Sequence, residues 1–183
     1  EKIDALDICF GNAPLDDLVK KHLNLNYDKD GTLAKSGKID FALCDKILQN
    51  QIFHSKPPRS FDRSDFAKIL TPITNLKIND ALASLCYIHA KAVAISLEFF
   101  NEKPQEIFIC GGGRKNHAII DEMKKQLPNI KIRTTEEIHL NGDAIEAQAF
   151  AFLAIRKIKN LPISFKNTTG VSENSAGGVL YKN

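Results

Sequence analysis

The stretch that most constrains this chain is residues 106–126, EIFICGGGRKNHAIIDEMKKQ. Glu106 is followed by Ile107, Phe108, Ile109 and Cys110, a short apolar run that predicts a buried strand. Gly111, Gly112 and Gly113 come next. Asn116 then stands at the cap position of a helix whose apolar face is Ala118, Ile119, Ile120 and Met123. Strand, glycine turn and helix let bare backbone approach a nucleotide, with helix N–H groups facing an anion. The spacing fits neither the G-x-x-x-x-G-K-[ST] loop nor the G-x-G-x-x-G fingerprint. A tight strand-to-helix turn with no ligand would use the same residues.

The 183 residues suffice for one domain or one large lobe with a real core. The formal charge of +3 is small and the lysines are dispersed, so nothing calls for nucleic acid or an anionic membrane surface. Cys9, Cys44, Cys86 and Cys110 lie far apart among apolar neighbours, which reads as buried free thiols rather than a disulfide or zinc site. No apolar run reaches the roughly 18 residues of a membrane span and no signal peptide is visible, so the expected location is cytoplasmic. The chain opens at Glu1 almost directly into a strand-like run, and it is expected to be a piece of something longer.

Alternating and apolar residues over 3–10 predict a first strand, ended by Gly11-Asn12. Pro14 suits the first turn of a helix through Leu23. Residues 24–37 form a polar loop in which Asp28, Asp30 and Gly31 imitate a calcium loop. Ile39 occupies its twelfth position, so a solvated turn is expected. Helices follow over 38–49 and 79–100, the second capped by Asn79 and carrying His89 as a core or boundary histidine. Pro57-Pro58 breaks the chain between them, and residues 59–66 form a loop and a short helix. A second strand is expected at KIRTT, a last helix over 143–159, and a short closing strand in the tail. Helices alternating with strands give an α/β class.

Three carboxylates stand out. Asp7 lies near the end of the first strand, where clefts open in α/β folds, although an edge acid is the plain reading. Asp143 and Glu146 are three apart at a helix start, so both can project from one face, and helix-dipole pairing would explain them equally well.

Taken together the motifs are far more specific. ICGGGRKN, NGDAIEAQAFAFLA and LPISFKNTTGV, in this order and spacing, resemble the C-terminal half of anhydro-N-acetylmuramic acid kinases. Residues 7–16 (DICFGNAPLD) resemble that family's D-x-G-P-G-N-x-L-x-D segment. Residues 27–37 (YDKDGTLAKSG) and 57–66 (PPRSFDRSDF) match two further stretches, so the resemblance covers essentially the whole chain.

The resemblance implies one lobe of an actin/hexokinase-like (ribonuclease H-like) ATPase fold, a mixed sheet flanked by helices, with residues 1–183 as the C-terminal lobe of a two-lobed sugar kinase. It implies ATP and Mg2+, and anhydro-N-acetylmuramic acid as the substrate, opened by water and phosphorylated in peptidoglycan recycling. By motif position Asp7 matches the catalytic base, and Asn12 and Asp16 the sugar-side loop. Gly111, Gly112, Gly113 and Asn116 match the adenosine-binding turn, and Glu146 the acid facing the sugar. Asp143 orders the first turn of that helix. Ser60 and Arg63 match polar positions with no assigned contact, and no side chain is assigned to a metal. Two departures bear on activity. Cys9 and Phe10 replace a glycine and a proline beside the base, where side chains obstruct close approach. The G-T-S-x-D-G phosphate loop of the N-terminal lobe has no counterpart here, so a separate N-terminal lobe or a homodimer partner is implied. The alternatives are a truncated, inactive relic that binds at most nucleotide or sugar, and a stand-alone domain whose old site surfaces serve a partner. A cleft face left open by a missing lobe should be unusually apolar.

Overall fold

Residues 78–96, INDALASLCYIHAKAVAIS, carry apolar or small side chains on almost every face, and a helix apolar all round belongs in a core. The computed structural model, which describes residues 3–181, places them there. We label this helix α5 (Ile78–Ser96); a 3-10 turn, Leu97–Phe99, extends it. Around it pack α1 (Ala13–Leu23), α2 (Thr32–Ser36), α3 (Phe41–Leu48) and α6 (His117–Gln126). By length and composition alone residues 78–99 could cross a membrane, contrary to the sequence expectation. Leu82, Leu85, Ile88 and Ala90 are instead sealed by the neighbouring helices, so α5 is the core helix.

Residues 106–126 fold into the strand, turn and helix expected, except that the strand is not buried: Phe108 is exposed and its other residues are half-buried. Strand β1 (Glu106–Ile109) leads through the glycine turn into α6 and on to β2 (Lys131–Thr134). The strands pair in parallel, Glu106 opposite Lys131 and Ile109 opposite Thr134, as a βαβ crossover demands. The observed architecture is therefore mixed α/β, a small parallel sheet flanked by helices. Helix α4 (Arg63–Leu70) starts in a reciprocal capping box between Asp62 and Asp65. Helix α7 (Ile145–Ile158) and the single turn α8 (Lys166–Thr169) complete the order.

Several expectations are corrected. Residues 3–10 form no strand: Ala5 N donates to Asn167 O (3.2 Å) and Asp7 N to Arg59 O (3.2 Å), single bonds to two segments that offer no ladder. The closing strand reduces to one antiparallel bridge between Ser164 and Ser175. Asn79 does not cap α5; its amide donates to Ser36 Oγ (2.8 Å), while Lys77 holds the cap position. Asp28 is not solvated. It is buried, and its two carboxylate oxygens accept from Leu33 N and Ala34 N (both 2.9 Å), capping α2 and leaving no oxygen for calcium. Of the cysteines, Cys44 and Cys86 are buried thiols as expected, Cys9 is half-buried and Cys110 is exposed.

Phe66 is the hub of an aromatic cluster, with ring centroids 5.7 Å from Phe10, 5.9 Å from Phe53 and 5.4 Å from Phe61. Phe66 is 1% exposed, so truncation leaves a cavity rather than a collapsed surface. Phe66→Ala should cost about 3–5 kcal/mol of unfolding free energy, read from urea denaturation followed by circular dichroism.

Candidate functional site

The glycine turn is held from behind by a buried guanidinium. Arg114, in the 3-10 turn Gly112–Lys115, donates Nε to Glu136 (2.8 Å), and Nη1 to both Gly111 O (2.8 Å) and Asp143 Oδ1 (2.8 Å). Lys115 Nζ closes on Asp143 Oδ2 at 2.8 Å. Gly111, at φ 70°, donates its N–H to Gly142 O (3.0 Å), and Gly142 N donates back to Glu136 (3.1 Å). A Cβ at Gly142 would overlap the Arg114 side chain, which three hydrogen bonds keep from moving aside. Asp143 is thus paired with Arg114 and Lys115. Arg114 first, then Lys115, hold its carboxyl far below the usual range. It ties the turn before α7 to the glycine turn, instead of ordering the first turn of that helix.

Asn116 is buried, and its Oδ1 accepts from Ala118 N (3.0 Å) and Ile119 N (3.4 Å), the cap predicted for α6. Behind it sits Gly31, at φ 68°, so close that a Cβ there would overlap the Asn116 amide. The Oδ1 of Asn116 thus shapes the turn from within and is not presented to a ligand.

On the opposite wall stands the loop after Asp7. Asn12 starts α1 without capping it, since its side chain makes no cap bond. It turns instead to the glycine turn: a Cβ built on Gly113 would lie 3.2 Å from Asn12 Oδ1, and one on Gly112 3.5 Å from its Nδ2. Between these walls opens a cavity of about 360 Å3, lined by Asn12, His89, Ile109, Cys110, Ile119 and Met123 with the backbone of Gly11, Gly112 and Gly113. Its floor is largely apolar and its rim is glycine backbone. Neither cation of the turn is free for phosphates, because Arg114 and Lys115 are both paired with Asp143. Among the described residues no group of three or more His, Cys, Asp and Glu side chains could hold a metal ion.

Asp7 lies on the surface with one carboxylate oxygen engaged. Its Oδ2 accepts from Phe61 N (2.8 Å) and Ser60 Oγ (3.1 Å), which supplies the contact that the motif left open for Ser60. Arg59, which sequence reasoning missed, donates Nε to Asp7 O (2.7 Å) and Nη1 to Ser55 O (2.7 Å), between the rings of Phe61 and Phe99. Its position directly after Pro58 was the available signal. Arg63 pairs with Asp17. Asp16 is half-buried, its pKa raised by burial and then by Asp17, and it lies away from the cavity lining. Glu146 is exposed, with no hydrogen bond or ion pair among the described residues. Asn12 and the glycine turn are thus brought together, while Asp7, Asp16 and Glu146 do not line their cavity. A larger cleft of about 710 Å3, bordered by Asp4, Pro58, Phe99 and Lys166, holds none of the predicted site residues.

The expected obstruction beside Asp7 is corrected for Phe10. Its ring is buried against Phe66 and His89 and does not enter the loop's open side. Cys9 also turns inward, with Sγ 3.5 Å from His89 Nδ1. Burial pushes the Cys9 thiol up to about 11 and His89 down to about 4, so both are neutral at pH 7.

The sequence model of anhydro-N-acetylmuramic acid kinase matches residues 1–183. The chain belongs to this family. It is 40% identical over 177 residues to the anhydro-N-acetylmuramic acid kinase of Zymomonas mobilis, covering 97% of this chain and 48% of the relative. The enzymes of that name from Roseobacter denitrificans and Caulobacter vibrioides are 37% and 38% identical over 174 residues, covering 95% of this chain and 46% of each relative. The chain thus spans about half the length of the curated relatives it matches. Membership in this kinase family gives this cavity its chemical interest, since two motif segments 100 residues apart in sequence meet in its lining.

Two outcomes are expected. Gly142→Ala should destabilise the protein by about 1–3 kcal/mol, because its methyl cannot be housed beside the pinned Arg114. His89, ordinarily near 6.5 and here about 4, is a group that the unfolded chain protonates first. Its neutral form imposes no penalty above pH 6.5, and stability falls as pH drops from 6.5 towards 4, by on the order of 3 kcal/mol. Urea midpoints measured across that window should drop less steeply in His89→Gln.

Proposed function

We propose that this chain forms the sugar- and nucleotide-binding half of an ATP-dependent kinase that opens anhydro-N-acetylmuramic acid and phosphorylates it. The observation that carries the reading is the shared 360 Å3 cavity, lined by Asn12 together with Gly112 and Gly113, which joins the loop following Asp7 to the turn read as the adenosine site. The Asp7 carboxylate is oriented by Ser60 Oγ and Phe61 N on one oxygen, and no described residue hydrogen-bonds the other. That oxygen would take the proton of the water attacking the anomeric carbon. The bond from that carbon to the bridging oxygen breaks, and the electron pair leaves with that oxygen as the primary alkoxide. The alkoxide displaces ADP from the γ-phosphorus of ATP while the water's proton stays on Asp7, a step that depends on in-line placement and on charge neutralisation. Arg114 and Lys115 are spent within the turn, so the cradle for the phosphates belongs to the half of the relatives that this chain does not match.

A second reading, an inactive relic that at most binds nucleotide or sugar, draws on the replacement of a family glycine and proline by Cys9 and Phe10. The inward packing of both side chains weakens that argument, because neither fills the space beside Asp7. ADP release from MgATP with anhydro-N-acetylmuramic acid, measured for this chain together with the unmatched half of the Zymomonas mobilis relative, decides between them. The kinase reading expects turnover that Asp7→Asn lowers by roughly 10²–10⁴-fold. Absence of turnover with retained ATP binding would leave the relic.

A further inference from the structure

Helix α7 is left uncovered. Not one of its residues is buried, and large apolar side chains are turned to water along it. Phe150 is 66% exposed, Phe152 60%, Ile155 52% and Ile158 65%, with alanines between them. Its basic pair, Arg156 and Lys157, lies on the half-buried side, where Arg156 Nε donates to Pro162 O (2.6 Å) and its guanidinium covers Phe165. Phe150, Ala154 and Ile158 are spaced four apart, and Ala147 and Ala151 fall on the same stripe, so a partner could approach the helix closely along it. Helices of this composition are covered in folded proteins.

We propose that this face of α7 seats the half of the kinase fold that the relatives carry and this chain does not match, whether that half is borne on the same polypeptide or on another. The inference rests on the two-lobed kinase reading above. Three observations select this occupant. The match takes in 97% of this chain but 48% of the Zymomonas mobilis relative, so a partner of comparable length exists in every such relative. The face is apolar over the length of a 14-residue helix, as a continuous interior seam is and a small-ligand site is not. Asp143, two residues before this helix, is tied to Arg114 of the glycine turn, so docking here brings the second half close to that turn. The face is the seam along which the cleft closes.

The test is co-expression of this chain with a tagged segment comprising the unmatched half of the Zymomonas mobilis relative, followed by capture and light scattering of the eluate. A 1:1 complex is expected. Phe150→Glu combined with Ile158→Glu should reduce capture at least tenfold with an unchanged circular dichroism melt, and Lys124→Glu on α6 should leave it unaltered. Equal capture of the double variant, no capture of the parent, or a homodimer of this chain that the double variant dissolves would each overturn the proposal. Should the separate segment prove insoluble, a single-chain fusion of the two halves gives the same answer by amide exchange. Residues 145–158 should exchange at least tenfold more slowly in the folded fusion, and unchanged rates would sink the idea. Calorimetry of ATP against this chain alone separates the two readings. Docking through α7 without ATP binding removes the kinase reading, whereas ATP binding with docking elsewhere removes only the seam.

Discussion

Burial of α5 on nearly all sides is the constraint on which the rest of the structure depends. Four helices seal it, and two of them carry the functional segments: α1 follows the Asp7–Asn12 loop and α6 follows the glycine turn. Since both pack on the same rod, the separation between the loop and the turn is set by side-chain volumes in the core. Protein interiors are packed to crystalline density and do not deform smoothly. The 360 Å3 cavity therefore has a defined width, with Asn12 and the glycine turn both in its lining.

Electrostatics do a second job. The Arg114 cluster is costly to bury unless every donor finds an acceptor, and here Nε and Nη1 are met by Glu136, Asp143 and Gly111 O. The result is one rigid corner made of residues 111–115 and 136–143. The charges of Arg114 and Lys115 are consumed in building it.

How much of this was legible depended on the range of the forces involved. Strand β1, the glycine turn, the Asn116 cap and α6 are local, and periodicity with capping chemistry located all of them. Helices α1 and α4 began where Pro14 and Asp62 favour starts. What failed was set by distant partners. The alternation of residues 3–10 is that of a strand, but strands need a ladder, and only isolated carbonyls of Asn167 and Arg59 are offered. Asp28 looked like a solvated acid because nothing local showed that it would be buried under α2. Phe10 looked like an obstacle because its direction is decided by Phe66, 56 positions away. Family resemblance supplied the roles of Asp7 and Glu146, which composition and spacing left as ordinary surface acids.

The contact between Gly31 and Asn116 carries a consequence for the order in which the molecule assembles. The cap of α6 rests on a platform contributed 85 positions earlier, and α2, next to that platform, is itself wedged against α5 and α6. Closing so long a loop costs entropy that local hydrogen bonds cannot return on their own. The glycine turn thus acquires its geometry only after the helices have condensed around α5. Ligand-ready shape is a late property of this chain, and a destabilised core would be felt first as a loosened turn.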